Sequence, residues 1–172
     1  MKHIIAKACI FFISALIAGC GSNLESKKLT PASFIPLSFG PDATPPSIVS
    51  VSPANGDRDV SPSSTISITF SETMNPTTIT TNVGSTTCTG SLQVSFDDFT
   101  TCVEMNVPPD TTDNITFTLT PSADLDTGTL YKIKVLASVQ DHAGNPMAAD
   151  YTTSIGFVTE INGSAHSAVT CH

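Results

Sequence analysis

Hydrophobic and polar residues alternate over short stretches along most of this chain. Thr65–Ser71 alternates without error, with Ile66, Ile68 and Phe70 on one face and threonine and serine on the other. Leu130–Val139 puts Tyr131, Ile133, Val135, Ala137 and Val139 on one face and Lys132 and Lys134 on the other. Ile48–Pro53, Ser91–Phe96, Ile115–Thr120 and Ser154–Thr159 repeat the period, and Cys102–Val107 does so less cleanly. Turn-forming residues separate these runs: Ala54–Asp59 around Asn55-Gly56, Ser71–Pro76, Pro108–Asn114, Asp124–Gly128 and Gln140–Pro146. In the last of these, Asp141 can accept hydrogen bonds from backbone N–H groups ahead of it, and Gly144 and Asn145 tolerate positive φ. The pattern predicts an all-β domain of about seven short strands. Strands that bury one face belong to antiparallel sheets, and two such sheets must cover each other, which makes a sandwich. Phe70, Phe117, Phe157, Tyr131, Ile133 and Val135 are the expected centre of its core.

The first twenty residues depart from this pattern. Lys2 and Lys7 precede an apolar run from Ala8 to Ala18, broken only by Ser14. The run is too short to span a bilayer and fits the apolar region of a signal peptide. It ends Leu16-Ile17-Ala18-Gly19-Cys20, which resembles the lipobox of bacterial lipoproteins. That resemblance implies cleavage before Cys20, a signal peptide of residues 1–19, and acylation of the Cys20 thiol and new amino group. Several acyl chains anchor durably where one is marginal. Residues 20–44 read as a lipidated amino terminus and flexible tether, spanning roughly 25–30 Å on average. The predicted domain covers 45–159 and a tail covers 160–172. No acidic residue follows Cys20 directly, which by analogy with lipoprotein sorting favours the outer membrane.

Composition narrows the function classes. The chain has 172 residues, with 13% charged and 6% aromatic. Its formal net charge is −8, and loss of Lys2 and Lys7 leaves five basic against fifteen acidic side chains, a net of −10. Such a chain offers no basic footprint for a phosphate backbone, so no nucleic-acid partner is expected. The membrane, through the lipid anchor, is the expected partner; a protein or matrix ligand is not readable.

Four segments carry a family resemblance. Val51–Gly56 with Val60 and Pro62, Ile68–Glu72 with Met74, Gly128–Tyr131, and Asp141–Pro146 followed by Phe157–Thr159 occur in order and at spacings that resemble SbsA-type bacterial Ig-like domains. The resemblance implies an Ig-like sandwich that serves as an envelope spacer or adhesive module; it does not imply a catalytic activity, and no cofactor is expected. The chain has no tryptophan, and no cysteine pair sits where antibody-type domains join their sheets.

Residues that could carry chemistry are few. Cys88 and Cys102 flank the Leu92–Phe96 run, and a hairpin brings such positions together. A disulfide there is the favoured pairing in an oxidising compartment, closing a loop of about fifteen residues worth roughly 3 kcal/mol. Cys171 remains as a tail residue. Asp57, Asp59, Glu72, Asp141 and Asn145 lie in turns, and Asp57, Glu72, Asp141 and Asn145 form a candidate calcium set. Calcium takes six to eight oxygens and no dedicated loop spacing is present, so the simpler reading has Asp141 and Asn145 satisfying their own turn. His166, Cys171 and His172 lack a fourth ligand and a frame for zinc. His142, His166 and His172 are the histidines beyond the signal segment. No Gly-x-Ser-x-Gly elbow occurs, and Asp124 and Asp126 read as a turn, so an enzyme is not expected.

Overall fold

The computed structural model describes residues 40–161. The expected signal peptide, Cys20, most of the tether, His166, Cys171 and His172 lie outside the described residues. Seven strands form: β1 (Ile48–Ser52), β2 (Ile66–Phe70), β3 (Leu92–Ser95), β4 (Thr116–Leu119), β5 (Leu130–Val135), β6 (Tyr151–Thr152) and β7 (Phe157–Val158). One turn of 3-10 helix, Pro76–Thr78, is capped by Asn75. Among the described residues, no helix is long and apolar enough to cross a membrane.

Two antiparallel sheets pair as the alternation requires. The first has the order β1-β2-β4, with Ile68 opposite Val51 on one side and Phe117 on the other. The second has the order β3-β5-β6, and β7 also pairs with β5. The inward face of β2 is fully buried at Ile66, Ile68 and Phe70, and that of β5 at Tyr131, Ile133 and Val135. Phe70 meets Phe117 edge-on at 5.9 Å, and Tyr131 stacks on Phe157 at 5.6 Å. These rings, with Met74, Met105 and Val139, fill the space between the sheets. Each such side chain contributes about 1.5–3 kcal/mol through burial. The chain therefore folds as an all-β, two-sheet Ig-like sandwich.

Three elements differ from the alternating pattern. Cys102–Val107 is not a strand. Its N–H groups go to different neighbours: Cys102 to the Thr86 carbonyl, Val103 to Val94, Met105 to Asn82 and Asn106 to Thr120. A segment whose donors are spread over four partners makes isolated bridges, at Met105 with Val83 and with Pro121, and no ladder. The closing run also shortens. Asn55 Oδ1 accepts from the N–H groups of Ile155 and Gly156, so those two residues leave the ladder and pairing resumes at Phe157. Residues 151–152, which carry no alternating signal, pair with Lys134 and Val135 instead. Finally, β3 is buried on both faces. Gln93 donates to the Gly90 carbonyl, and the Ser95 hydroxyl receives the N–H groups of Asp97 and Phe99. The loops on either side of β3 thus fold over its polar face. Among the described residues, no buried side-chain polar atom lacks a partner.

Candidate functional site

Two regions gather the residues singled out in the sequence. The first is an acidic corner at the end of the sandwich where β1 begins and β2 ends. Ser47 accepts the Ser71 N–H there, and Glu72 follows. The turn at 141–145 reaches the same corner because His142 donates its N–H to the Thr73 carbonyl and Asp141 bridges to Met74. Asp141 is buried. Its Oδ1 accepts the Asn145 N–H at 2.8 Å and its Oδ2 accepts the Asn145 side-chain amide at 2.7 Å. The same amide nitrogen donates to the Asp42 carbonyl at 3.1 Å, which ties the entering chain to the turn.

Carboxylate oxygens of Asp42, Glu72 and Asp141 lie within 4.8 Å of one another. Asp42 and Glu72 border an open depression of about 360 Å³ shared with Thr73, His142 and Ala143. Burial pushes the Glu72 carboxyl above its ordinary range, and the charges of Asp141 and Asp42 push it further. Asp141 goes the other way. Burial alone would raise it, but the Asn145 amide and the N–H groups of Asn145, Gly144 and Ala143 together hold it below the usual carboxylate range. The corner can therefore hold a hard cation between Glu72, Asp42 and Asp141.

Of the four residues expected as a calcium set, Glu72 and Asp141 converge. Asn145 presents its amide NH2 to the carboxylates, so it acts as their donor and not as an oxygen ligand. Asp57 is elsewhere. It follows the end of β1, whereas Glu72 lies near its start, and its Oδ2 accepts the Ala54 N–H. Asp57 therefore belongs to the opposite end of the sandwich, where its carbonyl receives the Val158 N–H. Asp42 was not among the sequence candidates. It lies ahead of Pro45-Pro46 with no periodic pattern around it, and only the long-range bond from Asn145 brings it in.

The second region is the loop after β3. A disulfide joins Cys88 and Cys102, with an S–S distance of 2.09 Å and Cα atoms 5.0 Å apart. The loop it pins is internally bonded. Asp97 accepts from the N–H and hydroxyl of Thr101 at 2.9 and 2.7 Å. Those bonds from Thr101, followed by the Ser95 hydroxyl, lower the Asp97 carboxyl from its ordinary range. Lys132 pairs with Asp98 at 2.7 Å, and Lys134 sits over the Phe99 ring at 3.9 Å. The two lysines on the outer face of β5 are thus committed to this loop.

His142, the one histidine among the described residues, contributes a backbone N–H to the acidic corner.

Solved structures similar to this chain include those of a bacterial surface-layer protein. "Structure of surface layer protein SbsC, domains 1-6" shares 18% identity at a TM-score of 0.48, over 69% of this chain and 14% of that one. "Crystal structure of the N-terminal part of the bacterial S-layer protein SbsC" shares 17% at a TM-score of 0.48, over 69% of this chain and 24% of that one. This chain thus spans under a quarter of the length of those proteins. No curated protein matches it. The profile described as "Bacterial Ig-like domain" matches residues 42–159, from the first acidic residue of the corner to the last residue bridged to Val60. On that match the chain belongs to the bacterial Ig-like domain family, whose modules are non-enzymatic.

Proposed function

We propose that this protein is a lipid-anchored cell-envelope protein that displays an SbsA-type Ig-like module for binding or adhesion, without turnover. The observation that carries the proposal is the sequence Leu16-Ile17-Ala18-Gly19-Cys20 at the end of a short apolar run, upstream of a family-matched domain at 42–159. Acyl chains on Cys20 hold the mature chain in the membrane, and residues 20–44 set the domain away from it. The absence of an acidic residue directly after Cys20 favours the outer membrane. Ig-like modules present loops and edge strands for recognition on a rigid sandwich.

Protease treatment of intact cells tests the display. The binding reading requires that the domain be cut from whole cells. Complete protection until the envelope is opened would remove it and favour a structural module inside the envelope.

A further inference from the structure

A groove of about 370 Å³ opens between the disulfide-pinned loop and the turn after β4. One wall is held by the Cys88–Cys102 bond and by the Cys102 N–H donating to the Thr86 carbonyl at 2.8 Å. The other wall is the 122–126 turn, fixed where the Asp126 N–H donates to the Tyr131 hydroxyl at 2.9 Å. Leu125 and Tyr131, both buried, form the apolar floor. Phe96 also lines the groove and is 53% exposed, although its ring packs edge-on against Tyr131.

The charge of the groove is one-sided. Glu104, Asp124 and Asp126 line it, and no basic residue does. The described residues contain three lysine or arginine side chains, Arg58, Lys132 and Lys134, and the two lysines are engaged by Asp98 and Phe99. None of the three lines the groove, so its carboxylates have no cation among the groove's own residues. A second copy of this acidic chain would add negative charge and be repelled. An occupant with a positive head and an apolar stem would satisfy both features: carboxylates for the head, and Leu125 and Tyr131 for the methylenes. Phe96 adds an aromatic ring that attracts a cation.

We propose that this groove takes a lysine or arginine side chain from an extended basic segment of a partner polypeptide. The assignment deepens the binding reading above by naming the partner's chemistry, and its test in solution does not depend on where the chain is anchored. The probe is the capped peptide acetyl-Gly-Arg-Gly-Arg-Gly-amide, titrated into the full chain as purified from cells. Its control replaces each arginine by citrulline, which keeps the shape and loses the charge. The arginine peptide should bind about tenfold more tightly than the citrulline peptide. Asp124→Asn with Asp126→Asn should weaken it about tenfold, and Phe96→Leu about threefold. Asp59→Asn with Asp110→Asn makes the same charge change at residues that do not line the groove and should leave binding within about twofold. Equal binding of the citrulline peptide, or equal loss in the Asp59/Asp110 variant, would overturn the proposal. Binding of maltohexaose in its place, lost in Phe96→Leu, would overturn it in favour of a sugar ligand.

Discussion

Gly156 lies directly against the carbonyl group of Tyr131, so that a Cβ at this position would overlap the Tyr131 oxygen. Its φ is +88°, a region that other residues enter at a cost. Asn55, a hundred residues earlier in the chain, holds this geometry by accepting the Gly156 N–H at 2.9 Å. The turn between β1 and β2 is thereby bonded to the last edge of the opposite sheet. Gly156→Ala should cost about 3 kcal/mol, combining left-handed strain with overpacking. Gly144 has a φ of +93° with open space around it, and Gly144→Ala should cost only about 1–2 kcal/mol. Urea unfolding midpoints of the two variants check the order.

Phe117 is fully buried and meets Phe70 edge-on across the β2–β4 pair. Phe117→Ala should lower stability by about 3–5 kcal/mol. That is a large part of the stability of a domain this size, so the variant should show a strongly reduced urea midpoint.

The Cys88–Cys102 bond closes a short loop, with the two cysteines 14 residues apart. Replacing both cysteines by alanine should cost roughly 3 kcal/mol on the loop-entropy account. Alkylation without reductant should leave Cys88 and Cys102 unmodified, and alkylation after reduction should label both. Mass spectrometry of the peptides reads each outcome.

Glu72 and the aspartates of the turns respond to pH with opposite signs. Glu72 holds its proton to higher pH in the folded chain than in the unfolded one. Ionising it therefore costs stability, and the loss grows as pH rises from the ordinary glutamate range through the raised folded value. Asp97, Asp113 and Asp141 are shifted down. Their contribution is full above the ordinary aspartate range and is lost as pH falls through their lowered folded values. In EDTA at pH 7, Glu72→Gln should raise Tm slightly, by about 1–2 °C, and the gain should close by about pH 4. Adding calcium tests the other chemistry of the corner. A rise in the Tm of the wild type that Glu72→Gln lacks would identify Asp42, Glu72 and Asp141 as a cation site.

Much of the fold was legible because alternation and burial are the same signal. Ile66, Ile68 and Phe70 on β2, and Tyr131, Ile133 and Val135 on β5, are buried as the pattern requires. What alternation cannot show is cover supplied by loops. Gln93 and Ser95 sit on the polar face of β3 and are buried by turns that bond to them. Nor does it show competition for donors, which is why Cys102–Val107 reads as a strand and forms isolated bridges. For the acidic corner, the role of Asp141 in its turn follows from local chemistry, since the bond to the Asn145 N–H spans four residues. The meeting of Asp141 with Glu72 and Asp42 depends on strand register. The same register places Asp57 at the far end.

Mass spectrometry of the amino-terminal peptide of the mature protein, recovered from membranes, tests most directly whether the domain is moored outside the cytoplasm by Cys20. The expected peptide begins at Cys20 and carries acyl chains on its thiol. An unmodified chain that begins elsewhere would contradict the lipid anchor and, with it, the proposed display.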